Sequence, residues 1–281
     1  MAILILEGLY LNGRYGNLFE GEVMRLLMIG DVVGSPGRNA VKKLVPKLRR
    51  EFSIDMVVAN GENSAGGFGI TPDTTEELLM SGVDVITTGN HVWRKKEIIS
   101  YMREEIPLIR PANFPPGVPG RGYIAIGDTL VINAMGRVFM EALDCPFREI
   151  DRILRETSKI NPPKIIVVDF HAEATSEKNA MAWYLDGRVS AVVGTHTHVP
   201  TADNRVLPHG TAYVSDLGMV GPLNSVIGCE PDKIVEKFLT QTPQSFVVAK
   251  NGPVVFNSVL IDIDQASGKA TNIERVDRIV N

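Results

Sequence analysis

Arg25–Asp31 reads RLLMIGD, an apolar run that closes on a glycine and then a carboxylate. An unbroken apolar run of this length fits a strand covered on both faces, as in α/β sheets. It leads into a helix expected over Arg38–Glu51, and the same succession recurs downstream. DMVVAN (Asp55–Asn60) leads into TPDTTEELLMS, and DVITTGN (Asp84–Asn90) leads into a helix expected to begin near Arg94. Strand, glycine turn and helix in repetition predict an α/β fold with covered sheets. Further strands are expected in IAIG, TLVINA, KIIVVDF, SAVVGTH and TAYVS, then a helix over Pro231–Leu239 and a terminal strand pair in FNSVLIDID and ATNIERV. The later part is more hairpin-like, so mixed rather than purely parallel sheets are expected. RPANFPPGVPGRG (Arg110–Gly122) reads as a long irregular loop without the length of a domain linker. Residues 24–281 are therefore expected to form a single domain. Residues 1–23 lack the basic region and cleavage site of a signal peptide and read as an N-terminal extension or a mispredicted start.

The 281 residues carry 29 Lys and Arg against 33 Asp and Glu, a formal net charge of −4. That balance argues against a protein that coats duplex DNA, which requires a strongly basic face. The helix after Gly37 does carry Arg38, Lys42, Lys43, Lys47, Arg49 and Arg50. Without interleaved aromatic residues it reads as a solvated face rather than an RNA contact. Cys145 and Cys229 form no CxxC pair, so neither a redox motif nor a zinc ribbon is indicated, and a reducing cytoplasm is the expected compartment. The apolar runs fall short of the ~20 residues of a membrane-spanning helix.

Ligands of open α/β sheets gather beyond the carboxyl ends of the strands. The residues there are Asp31, then Glu62 and Asn63, then Asn90 and His91, then His171, then His196 and His198. Each is a metal-ligand type or a proton-transfer group. Taken singly, Asp31 fits a helix N-cap, Asn90 and His91 fit a turn closure that caps the following helix, and His171 fits a hydrogen-bonded core histidine. Taken together, polar groups placed at one sheet edge are costly unless partnered, and a metal partners all of them. Oxygen donors mixed with imidazole suit Mn, Fe or Zn better than Ca or Mg. The candidate ligands Asp31, Glu62, Asn63, Asn90, His171, His196 and His198 are too many for one tetrahedral ion. They fit two ions about 4 Å apart, the arrangement that clamps a phosphoryl group.

GDVVG, GEN, GNH, the lone His171 and GTHTH resemble, in that order, the blocks of the calcineurin-like metallophosphoesterases. The closer resemblance is to the YmdB-like subgroup of bacterial cyclic-nucleotide phosphodiesterases, through GENSAGGFGIT, TTGNHVWRKKEI and GTHTHVPTADNRVLP. It runs from about Met24 to Val276. The resemblance implies a four-layer αββα sandwich with two metals at the sheet edges. It places Asp31 and His198 on the first metal, Asn90, His171 and His196 on the second, Glu62 as the bridge and His91 as the proton donor. Two departures from the wider superfamily stand out: Val33 replaces the histidine of the first block, and Glu62 replaces an aspartate. Asn63 is the natural substitute for the missing imidazole.

The expected activity is hydrolysis of 2′,3′- or 3′,5′-cyclic nucleotides by in-line attack of a metal-bridging hydroxide, with Fe or Mn as the metal. The expected partner is a small cyclic nucleotide or a short RNA-derived phosphodiester. No duplex DNA or membrane is expected, and the resemblance implies a homo-oligomer. The spacing itself specifies no nucleoside. A phosphomonoesterase or RNA-end phosphatase using the same centre is the alternative enzyme, and a regulatory nucleotide- or RNA-binding protein with little turnover is the alternative of another class. Asp169 and Glu173 are candidates to orient His171. GGFGIT and GMVGPLNSVIG are glycine-rich and expected to border the cleft as loops, where a mobile loop could close over substrate, and His209 is expected to lie on the surface. Trp93, Phe114 and Phe139 fit either a subunit contact or the core.

Overall fold

A computed structural model describes residues 23–159 and 162–281. All but the last residue of the expected N-terminal segment 1–23 lies outside them. The chain opens with β1 (Val23–Ile29), β2 (Asp31–Val32), α1 (Gly34–Phe52), β3 (Met56–Asn60), α2 (Pro72–Met80), β4 (Val85–Thr87) and the short α3 (Ile98–Tyr101). It continues with β5 (Tyr123–Ile126), β6 (Thr129–Met135), α4 (Pro146–Thr157), β7 (Ile165–His171), α5 (Thr175–Leu185) and β8 (Ala191–Thr195). The remainder supplies β9 (Arg205–Val206), β10 (Ala212–Val214), β11 (Met219–Pro222), α6 (Pro231–Thr240), β12 (Val254–Phe256), β13 (Ser258–Asp264), β14 (Ala270–Arg275) and β15 (Arg278–Val280).

Side-chain alternation along these strands builds the layers. Met24, Leu26 and Met28 of β1 point inward and meet Val131, Val167 and Val193 in a core between two sheets. One sheet has the order β14-β13-β1-β3-β4 and the other β5-β6-β7-β8-β10-β9. Leu27 and Ile29 turn the other way and pack under Val41, Val45 and Leu48 of α1 and Leu78 of α2. On the far side, Val168 and Phe170 of β7 pack against Ile150 and Ile153 of α4 and Met181 and Leu185 of α5. Helix, sheet, sheet, helix is the expected four-layer αββα sandwich. Both sheets are mixed: in the first, β1, β3 and β4 run parallel while β13 runs antiparallel to β1, and in the second β6, β7 and β8 run parallel while β5 runs antiparallel to β6.

Three local expectations are corrected. FNSVLIDID is not one strand: the chain leaves β12 at Phe256, bends at Asn257 and enters β13, joining two different sheets. GMVGP is not a loop, because β11 lies in a small third sheet of order β15-β12-β11-β2. No helix begins near Arg94. The backbone after Gly89 turns twice, with Val92 N–H donating to Gly89 O and Arg94 N–H to His91 O, and only α3 follows. Helices α4 and α5, by contrast, fall in stretches where no helix is expected from the sequence. The irregular stretch at Arg110 is held by its buried guanidinium, which donates to the carbonyls of Pro111, Val118 and Pro119. The basic face of α1 is also in structural use. Arg38 pairs with Glu77 and donates to Ser64 O, and Arg49 pairs with Asp84.

The functional rim depends on a close approach at Gly194, near the end of β8. A Cβ there would lie 1.7 Å from the Ser215 carbonyl oxygen. Gly194→Ala is therefore expected to destabilise the protein by about 1–3 kcal/mol, as overpacking does. Urea unfolding of the variant checks this, and an unchanged midpoint would refute it.

Candidate metal centre

Strands β1, β3 and β4 of one sheet and β7 and β8 of the other end at the same rim. Asp31, Glu62, Asn63, Asn90, His91, His171, His196 and His198 all lie there, linked by the contacts that follow. Asp31 caps no helix: the cap of α1 is Val33, and Asp31 Oδ2 instead accepts the His196 N–H at 3.1 Å. Nor do Asn90 and His91 cap α3, whose cap is Glu97. Gly89 makes the convergence sterically feasible, because a Cβ there would stand 2.3 Å from His171 Nε2 and 2.5 Å from Glu62 Oε2.

Around His171 Nε2 lie Asn90 Oδ1 at 3.0 Å, His196 Nδ1 at 3.1 Å and Glu62 Oε1 at 3.2 Å. Donor atoms bonded at about 2.1 Å to a common ion and at right angles lie about 3 Å apart, so this spacing fits a cation. Glu62, His171 and His196 form a cluster with metal-ligand spacing. A second group adjoins it. His198 Nε2 lies 3.8 Å from Asp31 Oδ1 and 3.1 Å from Asn63 Nδ2. Asp31 Oδ1 is buried and has no hydrogen-bond partner, a costly state that a cation relieves.

The tautomers of the three imidazoles agree with this geometry. Thr195 donates to Asp169 Oδ1 at 2.7 Å, so its hydroxyl accepts from His171 Nδ1–H at 2.9 Å. His198 Nδ1–H donates to the Ile227 carbonyl at 2.8 Å, and His196 Nε2 faces Glu173 Oε2 at 3.1 Å. His171 and His198 therefore have the far nitrogen hydrogen-bonded to an acceptor, His196 has its far nitrogen beside a carboxylate, and each ring turns its near nitrogen to the cluster, the usual arrangement behind metal-binding histidines. Of the two residues expected to orient His171, Asp169 acts through Thr195, and Glu173 serves His196 instead.

Burial pushes the Asp31 carboxyl up to about 6, with His198 and His171 pulling it back. Burial also opposes ionisation of Glu62, but His171 and His91 outweigh it and hold that carboxyl at about 2. His171 is the counterpart: burial disfavours its charge, yet Glu62, Asp31 and Asp169 raise it to about 9. Burial and the neighbouring His171 lower His196 to about 3, and burial lowers His91. The His91 backbone N–H donates to Glu62 Oε2 at 2.9 Å, while its Nδ1–H donates to Asn63 Oδ1 at 2.7 Å. Asn63 thus turns its amide nitrogen toward His198 and its oxygen toward His91.

Several supporting groups carry little sequence signal. Asp216, which follows the TAYVS run, accepts from Lys178 Nζ at 2.7 Å and from Thr197 N–H at 3.1 Å. It thereby fixes the turn in which His196 and His198 adopt φ of 105° and 65°, a left-handed backbone that non-glycine residues take only under constraint. The strand-end rule reaches Asp216. It does not reach Lys178, because a helical lysine reads as solvated, yet this one is buried. Trp93 and Phe114 pack edge to face at the margin of the helix-side core, Phe139 is exposed, and His209 is a surface residue paired with Asp186 at 2.8 Å.

A mixed αββα sandwich with this rim defines a phosphoesterase of the metallophosphoesterase fold. The model of the YmdB-like protein family matches residues 27–276. A 2′,3′-cyclic-nucleotide 2′-phosphodiesterase of Bacillus subtilis is 51% identical over 257 residues, covering 90% of this chain and 96% of the relative. Among solved structures, a hypothetical protein from Thermus thermophilus is 43% identical with a TM-score of 0.85, covering 92% of this chain and 100% of its own. A novel phosphatase from Mycoplasma pneumoniae is 31% identical with a TM-score of 0.86, covering 92% of this chain and 94% of its own. The chain belongs to the YmdB-like family and is a hydrolytic phosphoesterase. No helix among the described residues is long and apolar enough to cross a membrane.

The Thr195 relay gives a direct test. Thr195→Val keeps the shape and removes the acceptor of His171 Nδ1–H, so Mn²⁺ affinity should fall about 10–100-fold. Competition with a chelating dye measures it, and wild-type affinity in the variant would show that the hydroxyl does not orient His171.

Proposed function

We propose that the protein hydrolyses 2′,3′-cyclic nucleotides at a binuclear centre, cleaving the P–O2′ bond to leave a 3′-monophosphate. The observation that carries this is the convergence of donor atoms around His171 Nε2 and Asp31 Oδ1, with the His171 and His198 imidazoles held in metal-ready tautomers by hydrogen bonds at their far nitrogens. The substrate follows the printed activity of the Bacillus subtilis relative. In this reading Glu62, Asn90, His171 and His196 would hold one ion, and Asp31, Asn63 and His198, with Glu62, would hold the other. Mn or Fe matches the mixed oxygen and imidazole set. Such a pair supplies Lewis-acid stabilisation of the phosphoryl oxygens and a water of lowered pKa.

The chain's own groups do the rest. Asn90 and Glu62 sit on the rim with His91 beside them, so a phosphodiester placed there meets the imidazole. Water adds to phosphorus as the bond to O2′ breaks, the departing oxygen takes a proton from His91, and the proton the water gives up passes to solvent, from which His91 is reprotonated. Nδ1 is engaged by Asn63, so Nε2 is the nitrogen that donates. As a metal ligand Asn63 would take the exchanged amide orientation, with Oδ1 toward His198 and Nδ2–H donating to His91 Nδ1.

His91→Ala is expected to lower kcat for 2′,3′-cyclic AMP about 10²–10⁴-fold. The metal content of the variant should match that of the wild type by elemental analysis. Loss of metal together with activity would move His91 into the ligand set. Release of inorganic phosphate rather than accumulation of 3′-AMP by the wild type would favour the phosphomonoesterase reading.

The unpartnered Asp31 oxygen gives a second test. Removing metal with a chelator is expected to lower Tm, and adding back Mn²⁺ to restore it, because ligands that bind only the folded state stabilise it by mass action. A Tm insensitive to Mn²⁺ would contradict the ligand assignment.

A further inference from the structure

Two aromatic side chains beside the centre have no part in holding metal or moving protons. Phe68, in the GGFG turn that follows Glu62 and Asn63, lies edge to face on His91 with ring centroids 5.0 Å apart. Phe246 lies next in line, 5.8 Å from Phe68 with the planes inclined at 44°. The rings of His91, Phe68 and Phe246 therefore form a continuous row that starts beside the metal cluster. Phe246 comes from a distant segment, beyond α6, and its place is fixed from two sides. Two residues on, Val248 is buried against Val33 and Met219 beneath the rim. From α6, Lys237 Nζ stands 4.4 Å from the centre of the Phe246 ring.

Phe246 nevertheless keeps 39% of its surface exposed. An aromatic ring held in place by a buried anchor and a cation, yet left open to solvent next to a polar centre, suits a ligand with a flat apolar face. A cyclic phosphodiester seated against His91 carries such a group, the nucleobase, outside the cluster. The two phenylalanine rings offer no hydrogen-bond donor or acceptor for reading base edges. Stacking of this kind accepts any base, since every base has a π face.

We infer that Phe68 and Phe246 form a stacking ledge for the nucleobase, with Phe246 as the residue that makes the enzyme prefer nucleotides over base-free cyclic phosphates while discriminating little among the four bases. The inference rests on the phosphodiesterase reading above and adds the means of substrate selection.

The test compares 2′,3′-cyclic AMP with ribose 2′,3′-cyclic phosphate, which lacks the base, in the Mn²⁺-loaded protein. Phe246→Ala should lower the ratio of kcat/KM for the nucleotide to that for the base-free substrate at least about fivefold, chiefly through KM, as loss of one stacked ring does. Phe246→Trp should retain the ratio. A ratio unchanged in Phe246→Ala, or one lost equally in Phe246→Trp, would overturn the ledge. A binding readout separates this from the activity itself. Wild-type protein should bind 3′-AMP more tightly than ribose 3-phosphate, and Phe246→Ala should lose that preference. If the wild type hydrolyses neither cyclic substrate but shows this preference, the phosphodiesterase reading fails and the ledge stands. Equal affinity for the two ligands would end the ledge whatever the activity.

Discussion

Asp169 is the joint on which the site depends. Its carboxylate is buried near the end of β7 and receives donors from both sheets: Thr195 from its own sheet, and Thr87 and Asn60 from the facing one. Burial raises its pKa, and those hydrogen bonds offset part of the penalty. A buried carboxylate without such partners would be strongly destabilising, so its donors fix the relative position of β3, β4, β7 and β8. The site residues at the ends of these strands are Glu62, Asn90, His171 and His196. The carboxylate that locks the sheets together thus also sets the spacing of the donor atoms in front of it.

A second constraint acts on the turn after β8. His196 and His198 occupy a strained backbone there that Asp216 and the buried Lys178 hold from beneath. An ion pair this deeply buried is not an efficient source of stability, since desolvation consumes much of the attraction. Its placement is better explained by precision: the Lys178 ammonium keeps Asp216 aimed at the Thr197 N–H. That N–H lies midway along the chain between two imidazoles which must face different donors. Stability spent on such supports returns as rigidity in the residues they carry.

The layers and the rim are legible in the sequence because both rest on patterns that repeat. Buried strands recur as apolar runs, and each run hands its last polar residue to the same edge. The parts that escape have no such pattern. β2 and β9 span two residues each, too short to show a period, and β12 is fused in sequence to β13 across Asn257. The turns after Gly89 replace a helix because His91 commits its backbone N–H to Glu62, a tertiary bond that local propensity does not register. Thr195 and Asn60 look like ordinary strand residues, and Phe246 sits in QTPQSFVVAK, where nothing in the composition marks one aromatic ring from another.

Asp31 and His196 meet at the rim although 165 residues separate them along the chain. Contacts of such long range form only after the intervening chain has been ordered, at the expense of loop-closure entropy. Neither half of the sandwich presents a full set of donors by itself. A nascent or truncated chain therefore has no partial centre with which to act on passing phosphodiesters, and catalytic competence arrives as an all-or-none property of the finished molecule.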